Sequence, residues 1–166
     1  IAPHGSHAER LHRENRLDRL TEILRRIRDQ GVLVGLSAHN PALIELAEER
    51  NWDVDYYMCC LYYLTRPRQE YETLLGRDLP LGEIYLPSDP TRMFRVIQSV
   101  RKPCLVYKVL AAGRRIRDMT EIRQCFQTAL DNIKPTDAMI VGMYQQFGDQ
   151  VAQNAGIVRE LCNRRR

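Results

Sequence analysis

The sequence predicts an α/β protein built on a parallel sheet, with four strands alternating with helices in one domain. Three observations carry this. Short unbroken apolar runs, the mark of strands covered on both faces, recur along the 166 residues. Amphipathic stretches with apolar residues at three- and four-residue steps separate them. The run centres, near residues 34, 57, 106 and 140, lie 23, 49 and 34 residues apart. That spacing suits successive strand–helix units with one insertion after the second strand.

The first helix spans about 15–30, where Leu17, Leu20, Ile23, Leu24 and Ile27 recur and Gly31 stops the pattern. Val32 to Leu36 is a buried strand. Asn40-Pro41 then opens a helix over 41–50, an N-cap followed by proline at the first helical position. The second strand runs from Val54 to Leu61. The segment from about 64 to 88 is rich in Pro, Gly and charge, and a loop this long serves as a lid or binding loop or stays disordered. Asp89-Pro90 starts the next helix, with Met93, Val96, Ile97 and Val100 on one face. A strand from Pro103 to Leu110, a helix near 119–133, a strand over Ala138 to Met143 and a helix near 148–162 complete the order.

Composition narrows the function classes. Net charge is +4, with the basic excess in Arg114, Arg115 and Arg117 and in Arg164, Arg165 and Arg166. This is too little and too scattered for a nucleic-acid footprint, so no nucleic acid is expected as a partner. No apolar stretch reaches the roughly 18 residues of a membrane span, so no membrane partner is expected either. Five cysteines, an odd number without a CxxC, argue against a disulfide scaffold or a structural zinc site. Cys59, Cys104 and Cys125 sit in apolar runs as small hydrophobes. A reducing compartment follows, and a cytoplasmic location is expected. The chain starts at Ile1, and we expect it to be a piece of something longer.

A doubly wound sheet and a barrel both accommodate this order. A doubly wound sheet carries a glycine-rich turn after its first strand, and Gly35-Leu36-Ser37-Ala38-His39 matches that poorly. A (β/α)8 barrel needs about 250 residues, so this chain would supply about half of one. Local strings favour the barrel. Val34-Gly35-Leu36-Ser37-Ala38-His39-Asn40 resembles the fifth strand and loop of the aldo/keto reductases. Lys108-Val109-Leu110-Ala111-Ala112-Gly113 is similar to their seventh-strand end. Ala138 to Met143, followed by Asp149-Gln150-Val151-Ala152-Gln153-Asn154-Ala155, resembles their eighth strand and final helix. Ile1-Ala2-Pro3-His4 is similar to the fourth-strand end, where that family places a catalytic histidine.

The resemblance implies an α/β fold that is the C-terminal half of a TIM (β/α)8 barrel, spanning 1–166. It implies carbonyl reduction with NADP. It also marks departures. The family's Asp, Tyr and Lys belong to earlier strands. Tyr57 stands near the place of the glutamine that holds the nicotinamide carboxamide. Tyr144-Gln145-Gln146-Phe147 replaces the usual phosphate clamp.

Functional groups of parallel barrels collect at the carboxyl ends of strands. There His4 and His39 are candidate acids or carbonyl polarisers. Lys108, which interrupts an apolar strand, is a candidate anion holder or imine-forming amine. These three form the expected catalytic set. Ser37, Tyr57, Gly113, Arg114 and Gly142 form the expected cofactor set, Gly142 and the final helix offering backbone N–H groups to an anion. Two histidines without a placed carboxylate assign no metal. The alternatives are a barrel lyase or hydrolase acting on an anionic small-molecule substrate through Lys108 and His39, and a non-catalytic ligand-binding barrel. Half a barrel exposes two strand edges, so the chain is expected to self-associate through them and to be inactive alone.

Overall fold

The computed structural model describes residues 1–163; Arg164, Arg165 and Arg166, the basic end noted above, lie outside the described residues. Four strands, β1 (Gly35–Ala38), β2 (Tyr56–Cys60), β3 (Cys104–Tyr107) and β4 (Ala138–Ile140), form one sheet in sequence order. Every pairing is parallel. Helices α1 (Gly5–Arg13) and α2 (Leu17–Arg28) precede β1. Helix α3 (Pro41–Glu49) links β1 to β2, and α4 (Arg68–Leu75) and α5 (Asp89–Ser99) link β2 to β3. Helix α6 (Met119–Asn132) links β3 to β4, and α7 (Gln150–Asn163) follows β4. A parallel sheet wound in chain order with helical crossovers is consistent with half of a (β/α)8 barrel. No helix among the described residues is long and apolar enough to cross a membrane.

The first residues extend the sheet. The Gly35 N–H donates to the Ile1 carbonyl at 2.8 Å, and the Ile1 amine donates to the Leu33 carbonyl at 2.5 Å. Ile1 therefore lies beside β1, which places His4 at the sheet's rim next to the end of β1.

Alternation along the strands sorts the side chains onto two faces. Leu36, Ala38, Tyr57, Cys59, Cys104 and Val106 share one face and are fully buried beneath the helices. Gly35, Ser37, Tyr56, Met58, Leu105 and Tyr107 share the other, more open face, on which Gly35 and Ser37 are buried and the rest part-buried. The core on the helix side is completed by Leu43, Ile44, Met93, Val96, Ile97 and Phe126. Towards β4 the cover thins: Ala138 and Ile140 are exposed, and Met139 is half-buried.

Two polar clamps fix the amino ends of the strands. Asp55 accepts the Val34 N–H at 2.6 Å and pairs with Arg28 of α2 at 2.8 Å, and Arg28 also grips Asp53. The Arg28 guanidinium holds the Asp55 carboxyl below the usual range. Asp137, its side chain wholly buried, accepts the Cys104 N–H and the Lys134 N–H, each at 2.8 Å, and pairs with the Lys134 ammonium at 3.0 Å.

Several boundaries differ from the expectation. The first strand is Gly35–Ala38 rather than 32–36, because Val32 and Leu33 precede the paired stretch and stay exposed. The expected 15–30 helix is Leu17–Arg28, with a separate α1 before it. The insertion at 64–88 contains a helix, α4. The last strand stops at Ile140.

Candidate functional site

The carboxyl ends of β1 and β3 place the expected catalytic residues on one rim. Asn40 caps α3 by accepting the Ala42 N–H at 3.0 Å, with Pro41 behind it. That cap follows β1 directly, and His39 between them is buried. The His39 ring lies 6.1 Å from the His4 ring and 6.0 Å, edge-on, from the Tyr107 ring. Ser37 Oγ and Tyr107 Oη are 3.3 Å apart on the open face. Burial pushes the Tyr107 phenol well up, so it is a neutral hydroxyl. His4 is exposed, and its Nδ1 accepts the Ser6 N–H at the start of α1.

A carboxylate that the sequence pattern did not single out stands behind this rim. Glu9 of α1 is 1% exposed. Its Oε1 accepts the backbone N–H groups of His39 and Asn40, the latter at 2.7 Å, and its Oε2 accepts the Thr65 hydroxyl. Burial opposes ionisation of Glu9. The hydrogen bonds from His39, Thr65 and Asn40 outweigh it and hold the carboxyl below its usual range. His39 Nδ1 lies 3.6 Å from Glu9 Oε1. That nitrogen is buried and has no hydrogen-bond partner among the described residues. Gly5 permits the approach of α1: a Cβ there would meet the His39 ring at 3.0 Å.

Lys108 follows β3 with a left-handed backbone, φ 59°, which a non-glycine residue rarely adopts. Its ammonium donates to Glu83 Oε2 at 3.3 Å and to Tyr85 Oη at 3.1 Å, both residues of the insertion. Burial alone would lower its pKa, but Tyr85 and Glu83 reverse that and hold it above the usual value. Ala111, Ala112 and Gly113 continue the left-handed geometry in a short 3₁₀ turn.

Beside this turn a groove of about 700 Å³ opens between the ends of β3 and β4. Lys108, Gly113 and Gly142 line it, with the amides Gln153 and Asn154 of α7. Of the expected cofactor set, Gly113 and Gly142 therefore border one groove, and Ser37 lies on the rim. Tyr57 does not. It points into the helix layer and donates to Glu48 of α3 at 2.9 Å, because its register puts it on the face shared with Leu36 and Cys104. Arg114 is absent from the groove wall and instead stacks on the Tyr85 ring, 4.0 Å from its centroid.

The thiols offer no nucleophile at this rim. Burial pushes the Cys60 thiol up to about 12. The hydrogen bond with Cys104 and burial hold the Cys59 thiol well above its usual value. No group of three or more His, Cys, Asp or Glu side chains among the described residues is placed to hold a metal ion.

The arrangement therefore offers a buried imidazole beside a carboxylate, a hydroxyl pair, a paired ammonium and an adjoining groove. Comparison with protein-family models, curated proteins and solved structures found no match to this chain.

Proposed function

We propose that the chain carries the trailing strands of a carbonyl-reducing barrel of aldo/keto reductase type, using NADP. The observation that supports this most is the groove between the ends of β3 and β4, about 700 Å³ and lined by Lys108, Gly113, Gly142 and Asn154. Its volume is within the range of small-molecule sites, and parallel barrels hold phosphate-bearing ligands at this part of the rim. The donor set fits the group in kind: an ammonium, glycine-flanked backbone and side-chain amides. NADPH, when bound, supplies the hydride. The chain's residues do the rest. Ser37 and Tyr107 offer hydroxyls on the open face to a carbonyl oxygen. His39, buried with its Nδ1 3.6 Å from Glu9 Oε1, is the ring that carries the proton.

The lyase reading through an imine at Lys108 is less well supported. An amine held protonated by a carboxylate and a phenol is a poor nucleophile.

Titration with NADPH tests the proposal. Binding should enhance or blue-shift the dihydronicotinamide fluorescence, and ATP should compete only partly. No spectral change at millimolar NADPH would overturn the reading.

A further inference from the structure

Lys108 is held by groups that differ in how firmly they are anchored. Its backbone is in the left-handed region and its side chain is three-quarters buried. The acid facing it, Glu83, is more than half exposed. Glu83 follows Gly82, which has φ +89°, and a Cβ at Gly82 would meet nothing within 4 Å. Packing leaves Gly82 free, and the carboxylate is held by its own bonds, the ion pair with Lys108 and the Tyr85 hydroxyl it accepts at 2.7 Å. Tyr85 is fixed by packing. Its ring packs on Tyr62, 4.9 Å between centroids, and lies under the Arg114 guanidinium. The base of this strap is held as well, since Tyr71 donates to the carbonyls of Tyr63 and Ile84.

Arg114 has no carboxylate within 4.0 Å among the described residues; its guanidinium donates to the Ala111 carbonyl. If Glu83 swings out, Lys108, the Tyr85 hydroxyl and Arg114 remain together, with Lys108 on the groove wall. A part-buried ammonium does not stay unpaired without cost, so the departure of Glu83 is coupled to the arrival of another anion.

We infer that Lys108, Tyr85 and Arg114 form an anion subsite, and that Glu83 is its internal occupant, displaced by a phosphate or carboxylate group of the ligand. The inference rests on the rim being a ligand site and adds a self-competing acid supplied by the insertion. The anion is either a phosphate of the dinucleotide or a carboxylate of the carbonyl substrate.

The test is a ¹H–¹⁵N NMR titration of the whole chain with inorganic pyrophosphate, NADP⁺ and phenylglyoxylate, in wild type, Glu83→Gln and Lys108→Met. At least one probe should bind Glu83→Gln about fivefold more tightly than wild type, the scale of one exposed ion pair. The same probe should bind Lys108→Met more weakly than either. In wild type it should shift the amides of residues 83–85. A response confined to phenylglyoxylate assigns the subsite to substrate, and a response to the phosphate probes assigns it to cofactor. Glu83→Ala, at this exposed position, provides a second variant should Gln perturb the loop. Equal affinity of every probe for wild type and both Glu83 variants overturns the inference, as does binding indifferent to Lys108. NADP⁺ binding that ignores Glu83 and Lys108 leaves the dinucleotide reading standing while this inference falls. Pyrophosphate binding strengthened in Glu83→Gln without any NADP⁺ binding does the reverse.

Discussion

Removing the Glu9 carboxylate should be among the most damaging single changes to this chain. Glu9 accepts two backbone N–H groups at the junction of β1 and α3, and one hydroxyl from the insertion. Glu9→Ala strands those donors in a site that is 1% exposed. Each lost charge-assisted bond is worth roughly 1.5–3 kcal/mol, and losing one side of a buried charged arrangement costs about 3–5 kcal/mol. Against a total stability of about 5–15 kcal/mol, that is about a fifth or more. Glu9→Gln keeps one acceptor oxygen and can donate to Thr65, so its cost should be about 1–2 kcal/mol.

Urea unfolding followed by Trp52, the single tryptophan and a core residue, reads the difference. The carboxyl's pKa is lower folded than unfolded. Its contribution is therefore complete above the unfolded value near 4.5 and fades as pH falls through the depressed folded value. Glu9→Gln should accordingly flatten the acid limb of the stability curve below about pH 4.5. A loss under about 1 kcal/mol for Glu9→Ala, or an unchanged acid limb in Glu9→Gln, would refute the assignment of Glu9 as the tie between α1, α3 and the insertion.

Three further outcomes follow from the same geometry. Tyr57→Phe removes one hydrogen bond to Glu48 and should cost about 1 kcal/mol in urea unfolding without changing NADP⁺ affinity; a weakened affinity would return Tyr57 to the cofactor set. Asp137→Ala leaves the Cys104 and Lys134 N–H groups unpaired and should cost about 2–4 kcal/mol, measured by thermal unfolding; an unchanged Tm would contradict the clamp. The thinly covered β4 edge should make the chain self-associate. Light scattering should then give a mass that rises with concentration above 19.4 kDa, and a concentration-independent monomer would count against it.

What was legible in the sequence was what local periodicity encodes. The strands beneath the helices are short apolar runs because both neighbours in the sheet and one covering layer exclude water from them. Asn40-Pro41 marks the start of α3 because a cap and a fixed φ are local requirements. Helix α1 was missed because its apolar signal is only Ala8 and Leu11, while its anchor is the acidic Glu9. That anchor depends on His39, 30 residues away. The two faces of β2 were not separable from sequence, since Tyr57 and Met58 are both apolar enough for either. Only the register against Leu36 and Cys104 turns Tyr57 to the helices. Lys108 stood out as a charge in an apolar strand, but its partners Glu83 and Tyr85 come from an insertion with no periodic pattern.

The most direct test is a crystal structure of the chain grown with NADP⁺. The dinucleotide should lie across the carboxyl ends of β3 and β4, its phosphates beside residues 108–113 and its nicotinamide end towards Ser37 and Tyr107. A dinucleotide seated elsewhere, or crystals in which the groove excludes it at saturating concentration, would contradict the claim that this rim is a reductase site.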